Sequence, residues 1–416
     1  MDTIGIVAEY NPFHNGHLYM LQEAKRLTGA KNIVVVMSGD FVQRGAPAWT
    51  DKYLRTRLAL AAGVDMVFEL PVCYATASAE TFAAAGVSLL HSLGFVEGIC
   101  FGSECGELEE LSRVAEYLAT PPDSFDRQIR ELTATGISYP AARMLALPEQ
   151  WQKIISFPNN ILGIEYLKEI KRLKSPLVPV TIKRTAAGHH DIALSGTIAS
   201  ATAIRAASSH ADNGMLPEKM LAALPESSVK LLEENRNHFP VTVDDFSLLM
   251  YYCLSQMLSV GEEDILDMTS ELYNRIQNIL PQYDTLSSFT DKLKTKQFTY
   301  SRISRVLFHC LLDIKREDVR QSLPIVPYAR LLGVHKEKSG LLRKVENIPV
   351  ITKPAKGFAI IDKFYNQPEY NNRQLVCYGK ALLKKDFAAA NLYRQVQRNR
   401  RKEGFQPEEC QKPVIF

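Results

Sequence analysis

The sequence contains no Cys-x-x-Cys pair, no apolar run of membrane-spanning length, no internal repeat and no low-complexity tract. Each absence removes a class. The seven cysteines, at positions 73, 100, 105, 253, 310, 377 and 410, are odd in number and scattered. They build neither a disulfide framework nor a zinc ribbon, and they point to a reducing compartment. A membrane helix needs about 18 or more apolar residues in succession, whereas stretches such as 33–37 are far shorter. The N-terminal Met-Asp-Thr-Ile-Gly lacks a basic region and a small-residue cleavage site, so a cytoplasmic protein with no membrane attachment is expected. Without repeats, solenoids and propellers are excluded. What remains is an ordinary globular chain of 416 residues, 46% hydrophobic and 23% charged, long enough for two domains and a sizeable core.

A large excess of either charge is also missing, since the formal net charge is only +3. That total conceals an uneven distribution. Residues 1–300 hold 26 Lys/Arg against 35 Asp/Glu, and residues 301–416 hold 23 against 11. Residues 384–402 (KKDFAAANLYRQVQRNRRK) are densest, with seven basic residues and one acidic. A basic quarter on a mildly acidic body points to a polyanion such as nucleic acid. The alternative is a solvated helix face with no partner. A membrane-surface role fits poorly, because the broad Leu/Trp/Phe face of an interfacial helix is missing.

The first 210 residues alternate strand and helix signals. Residues 3–10 and 32–38 (NIVVVMS) read as strands, the second buried on both faces. Helices are expected over 16–27, 50–62, 78–93, 107–119, 125–135, 160–173 and 200–208, with further strands at 64–70, 98–101 and 177–183. This is the pattern of a doubly wound parallel α/β sheet. Beyond residue 210, helical periods dominate at 244–259, 262–279 and 299–314, and strand-like pieces occur only near 325–334 and 349–353. The expected division is an α/β domain over 1–210 and a mostly helical, basic region over 211–416.

The strongest local signal is Asn11-Pro12-Phe13-His14-Asn15-Gly16-His17, directly after the first strand. In a doubly wound sheet, ligands bind beyond the carboxyl ends of the strands. Gly16 lets the backbone approach a bound group closely. The helix that begins there offers free N–H groups and a positive dipole end to phosphate. His14 and His17 share one face of its first turn, where two imidazoles can donate hydrogen bonds to phosphoryl oxygens. Zinc ligation is the alternative for two histidines so spaced, but no third ligand lies nearby, and no metal site is expected. Ordinary helix capping is the other.

His14-Asn15-Gly16-His17 resembles the HxGH signature of the nucleotidyltransferase superfamily. The longer stretch GIVAEYNPFHNGH resembles the bacterial tRNA(Met) cytidine acetate ligase family more closely. The likeness continues through SGDFVQRG (38–45), FGSE (101–104), PNNILGIEYLK (158–168), IKRTAAGHHD (182–191) and SGTIASATAIR (195–205). Six ordered blocks are far more specific than one motif. The resemblance implies a Rossmann-like HxGH nucleotidyltransferase domain that forms acetyl-adenylate from ATP and acetate. The acetyl group then passes to the wobble cytidine of elongator tRNA(Met), giving N4-acetylcytidine. It implies ATP, with Mg2+, bound along Val7, Ala8, Glu9, Tyr10, Asn11, Pro12, Phe13, His14, Asn15, Gly16, His17, Leu18, Tyr19 and Met20. Gly102, Asn159, Arg184, Ser200 and Thr202 complete that set. His14, His17 and Arg205 are the expected catalytic residues. Attack of a carboxylate on the α-phosphate needs no protein nucleophile, only positioning and charge neutralisation.

Asn159 offers both a donor and an acceptor. Arg184 and Arg205 can balance polyphosphate charge. Ser200 and Thr202 can cap a helix or meet phosphate, and Ala199 and Ala201 depart from the superfamily's ISSTxIR signature. Asp40, Gln43 and Arg44 are candidates for an acetate pocket or an ordinary loop. Glu104 is a candidate for holding magnesium through water or for serving a helix start, and His189 and His190 are assigned no role. Tyr393 beside Arg394, Arg398, Arg400, Arg401 and Lys402 is a mixture suited to unpaired bases and phosphates, hence to tRNA. Two other functions fit an HxGH domain: a small-molecule nucleotidyltransferase making a nucleotide cofactor, and a non-catalytic RNA-binding protein. No protein partner is called for.

Overall fold

The computed structural model describes residues 1–184, 199–208, 216–260, 264–320, 326–401 and 404–416. Its first unit is strand β1 (Thr3–Ala8), helix α1 (Asn15–Thr28) and strand β2 (Asn32–Ser38). A short hairpin, β3 (Phe41–Val42) with β4 (Ala46–Pro47), leads to α2 (Lys52–Ala61) and β5 (Met66–Leu70). One turn of helix, α3 (Val72–Ala75), precedes α4 (Ala79–Ser92) and β6 (Gly98–Ser103). Helices α5 (Leu108–Ala119), α6 (Asp123–Ala134), α7 (Tyr139–Ala146) and α8 (Glu149–Gln152) intervene before α9 (Pro158–Arg172), β7 (Val178–Lys183) and α10 (Ala201–Ser208).

The strands assemble in the order β5-β2-β1-β6-β7, all parallel. The chain runs outward from β1 through β2 to β5, then crosses back to β6 on the other side of β1. The switch point therefore lies between the carboxyl ends of β1 and β6, where a doubly wound sheet binds its ligand. Burial on both faces explains the unbroken apolar run of β2. Ile33, Val35 and Met37 join one core with α1 and α2, and Val34 and Val36 join the other with α4 and α9. Alternation with period two sends neighbouring side chains to opposite cores.

The sheet does not stop at residue 210. Strand β8 (Ala329–Val334) pairs antiparallel with β5, setting Met66 opposite Val334 and Glu69 opposite Arg330. Strands β9 (Val350–Ile351) and β10 (Val414–Ile415) both pair with β8. Most of the remaining described chain beyond 210 is helical, including Ser247–Val260, Tyr300–Leu311 and the 29-residue helix Arg373–Arg401. The helix expected over 262–279 begins only at Ser270, where the Thr269 side chain caps it by accepting from Leu272 N–H. Gly45, in the SGDFVQRG block, has φ +67 and sits against the Tyr300–Leu311 helix. A Cβ there would lie 2.3 Å from the Arg305 nitrogen, so a larger residue would push that helix off the hairpin.

A buried ionic cluster joins the two halves. Lys52 of α2 contacts Glu69 at 2.6 Å and Glu408 at 2.7 Å. Arg330 of β8 meets Glu69 at 3.0 Å and also pairs with Glu408. The Tyr53 hydroxyl and Arg394 reach Glu408 as well, each at 3.0 Å. All four central residues, Lys52, Glu69, Arg330 and Glu408, are less than 5% exposed. No helix among the described residues is long and apolar enough to cross a membrane.

Candidate active site

A cleft of about 320 Å³ opens at the switch point. Its floor is the end of β1 and the turn into α1: Val7, Ala8, Glu9, Tyr10, Asn11, His14, His17 and Met20 line it. Gly102, Asn159, Arg184, Ser200, Thr202 and Arg205, from four other blocks of sequence, line it too. Pro12, Phe13, Asn15, Gly16, Leu18 and Tyr19 do not. Phe13 is fully buried in the core beneath, Leu18 packs against that core, and Tyr19 is on the surface. The Asn15 amide group donates to the Ala222 carbonyl instead.

His14 is the N-cap of α1. Its Nδ1 accepts the Gly16 N–H at 3.1 Å, and its own backbone N–H donates to Nδ1 of His17 at 3.3 Å. A ring nitrogen that accepts carries no proton, so both rings hold theirs on Nε2. The rings stack with centroids 3.8 Å apart. Burial, with Arg184 and Arg205 nearby, pushes His14 down to about 3. Burial, then the His14 ring and Arg184, also holds His17 well below its ordinary value. Both are therefore neutral at pH 7 in the free protein, each with one N–H to give. The motif's capping and phosphate-binding readings are thus compatible: Nδ1 serves the helix, and Nε2 remains for a ligand.

Arg205 donates to the Asn11 carbonyl at 2.6 Å and to the Thr202 hydroxyl at 3.2 Å, tying α10 to the turn after β1. Burial beside Arg44 pushes it down to about 10, and it stays charged. The Ser200 hydroxyl accepts from Ala203 N–H at 3.1 Å, the helix-capping role. Opposite, the backbone N–H of Arg184 donates to Ser103. Its side chain crosses Gly102, where a Cβ would sit 3.2 Å from Arg184 Cγ. Among the charged residues that line the cleft, Arg44, Arg184 and Arg205 outweigh Glu9, which suits a polyanionic ligand.

Several expectations need correction. Glu104 caps α9: its carboxylate accepts the Asn160 backbone N–H at 2.9 Å and the Asn159 amide group at 2.7 Å. It serves a helix start 55 residues away, not the one that follows it, and Asn159 keeps its oxygen and one N–H for a ligand. Asp40 is 4% exposed, accepts from Lys52 N–H and lies outside the cleft, in the ionic cluster. Gln43 and Arg44 do line the cleft. Tyr393 cannot stack on a base, because it is fully buried and its hydroxyl donates to the Ala48 carbonyl. Arg394 is held by Glu408 and the Gln406 carbonyl and lies over the Tyr53 ring. Its guanidinium is committed within the fold. Arg398 is exposed at the end of the same helix, beside a second cavity that Arg57 and His238 also line. Arg400 and Arg401 continue the helix, and Lys402, like His189 and His190, lies outside the described residues. Tyr166, which lies in the PNNILGIEYLK block and was given no role by the sequence, also lines the cleft from α9.

Comparison with known proteins agrees with this geometry. The family model described as HIGH Nucleotidyl Transferase matches residues 1–408. A tRNA(Met) cytidine acetate ligase of Caldanaerobacter subterraneus is 40% identical over 369 residues, covering 85% of this chain and 89% of that one. Another, from Thermosipho melanesiensis, is 36% identical and covers 100% of this chain and 99% of its own. The crystal structure of Thermotoga maritima TmcAL bound with alpha-thio ATP superposes with a TM-score of 0.88 at 30% identity, covering 100% of this chain and 99% of that one. With that likeness along its whole length, and with the HxGH turn at its switch point, the chain belongs to the HIGH nucleotidyl transferases and, among them, to the tRNA(Met) cytidine acetate ligases.

Proposed function

We propose that the protein activates acetate with ATP in this cleft and transfers the acetyl group to the wobble cytidine of elongator tRNA(Met), forming N4-acetylcytidine. The carrying observation is the pair of Nε2–H donors fixed by backbone capping at the switch point. In this reading ATP lies along the β1–α1 turn, with its adenosine toward Gly102 and Asn159 and its phosphates toward His14, His17, Arg184 and Arg205. Ser200 and Thr202 border the phosphates. As the carboxylate attacks the α-phosphate, charge accumulates on the phosphoryl oxygens and the departing pyrophosphate. Preoriented N–H donors in a partly dry cleft stabilise such charge more than water does. Neutral imidazoles accept this role without releasing a proton.

ATP enters with Mg2+ in this reading. The residues offer the ion little: Glu104 is engaged by α9, the Glu9 carboxylate accepts the Gln43 N–H, and the described residues contain no cluster of three potential ligands.

The expected division of labour gives residues 1–210 the adenylation chemistry and residues 211–416 the tRNA, although β8 and β10 complete the same sheet. Arg398, Arg400, Arg401 and Lys402 form the RNA contact in this reading. Replacing Arg398, Arg400 and Arg401 by alanine should weaken tRNA binding and lower its salt slope by about 0.7–0.9 per lost phosphate contact. Filter binding across a salt series measures this; an unchanged slope places the RNA surface elsewhere.

The whole reaction is tested with labelled acetate, ATP and elongator tRNA(Met) transcript. Label recovered as N4-acetylcytidine, with AMP and pyrophosphate released, is the expected result. Transfer of the adenylyl group to a small cosubstrate instead would mark a cofactor-forming nucleotidyltransferase.

A further inference from the structure

We propose that the part of the cleft bounded by Tyr166, Gln43 and Phe82 is the acetate subsite, with the Tyr166 hydroxyl and the Gln43 amide as donors to the carboxylate. This rests on the adenylation reading above. Tyr166 is 1% exposed, and its hydroxyl has no hydrogen-bond partner among the described residues. The Gln43 Nε2 atom is likewise buried and unpartnered. Leaving a buried donor unpaired is costly, so native structures seldom keep two in one cleft without a ligand to meet them.

Both residues line the cleft that holds His14 and His17. Gln43 is anchored there, because its backbone N–H donates to Glu9 Oε1 at 2.8 Å. The cleft also has apolar lining. Phe82 and Phe101 line it, and the Phe101 ring lies 5.5 Å from that of Tyr166. Phe101 packs where a Cβ on Gly163 would come within 2.6 Å of it. A cleft that offers unpartnered donors together with aromatic rings suits a short carboxylic acid, its carboxylate meeting the donors and its methyl group the rings. Arg44 and Arg205 line the same cleft as Glu9 and offset its charge.

In the reaction, one carboxylate oxygen accepts from Tyr166 and Gln43 while the other attacks the α-phosphorus. A new P–O bond forms and the bond to the bridging oxygen of the β-phosphate breaks. That electron pair leaves with pyrophosphate, and no proton is transferred.

The test is ATP–pyrophosphate exchange with acetate and ATP varied separately. Tyr166→Phe removes only the hydroxyl and should raise the acetate KM roughly 10- to 100-fold, the cost of a hydrogen bond to a charged group. The ATP KM should stay within about twofold. Gln43→Leu should act in the same direction, which guards against one badly folded variant. Phe82→Ala should raise the propionate-to-acetate ratio of kcat/KM by roughly tenfold, since one methylene is worth about 10–200-fold in such pockets. An acetate KM unchanged in Tyr166→Phe and in Gln43→Leu, with wild-type exchange intact, overturns the subsite alone. No acetate-dependent exchange in the wild type overturns the adenylation reading beneath it.

Discussion

Replacing His14 by asparagine is expected to reduce adenylate formation by about 10²–10³-fold in kcat, the usual cost of one preorganised donor to a developing oxyanion. Asparagine is the informative replacement. It is a good N-cap and can still accept from the Gly16 N–H, so α1 should keep its start. It cannot place a donor where Nε2–H stands. Alanine loses both functions, and about 1 kcal/mol of stability goes with the cap. His17→Asn should show a comparable loss of activity. In every case tRNA affinity should be largely retained, because the histidines lie in the cleft while the basic residues lie at the end of the Arg373–Arg401 helix. Rapid-quench measurement of acetyl-adenylate with filter binding of tRNA separates the two. Normal adenylate with lost tRNA binding in His14→Asn would contradict the role given to the ring.

Replacing Glu408 by leucine should cost about 3–5 kcal/mol of stability, the expected result of removing one partner from a buried ion pair. Glu408 is fully buried and meets Lys52, Arg330, Arg394 and the Tyr53 hydroxyl. Without it, Lys52 and Arg330 face Glu69 with one negative charge fewer between them. Burial opposes its ionised form, but Lys52 and Arg330 prevail and hold its carboxyl at about 2. The folded state binds the proton more weakly than the unfolded chain, whose glutamate titrates near 4.3. This stabilisation is complete above that value and is lost as pH falls toward 2. A denaturation midpoint that drops at pH 7 with the slope preserved would support the account. A change below about 1 kcal/mol would show that the cluster contributes little.

What could be read from the sequence divides along the range of the interactions. The strand–turn–helix of residues 3–28 was legible because its period, its glycine and its helix start are local. The central strands were legible because burial on both faces leaves runs such as NIVVVMS. The addition of β8 to β5 was not, since an antiparallel partner some 260 residues away leaves no periodic trace. Asp40 failed for the same reason: its environment is made by Lys52, Glu69 and Glu408, from a helix, a strand and the C-terminal segment. Tyr393 failed differently. Charge density along residues 384–402 does not say which face is buried, and Leu383, Phe387, Ala390, Tyr393 and Val396 form a buried helical stripe there. Tyr166 leaves no local signal, because an aromatic on an apolar helix face is usually core. Only its unpartnered hydroxyl separates it from one.

The central claim is that this cleft joins acetate to AMP before any RNA is involved. Pyrophosphate exchange into ATP, measured with purified protein and no tRNA, tests it most directly. Exchange that requires acetate and disappears in His14→Asn is the predicted result. Exchange that ignores acetate, or that appears only with a nucleotide-like cosubstrate, would contradict it.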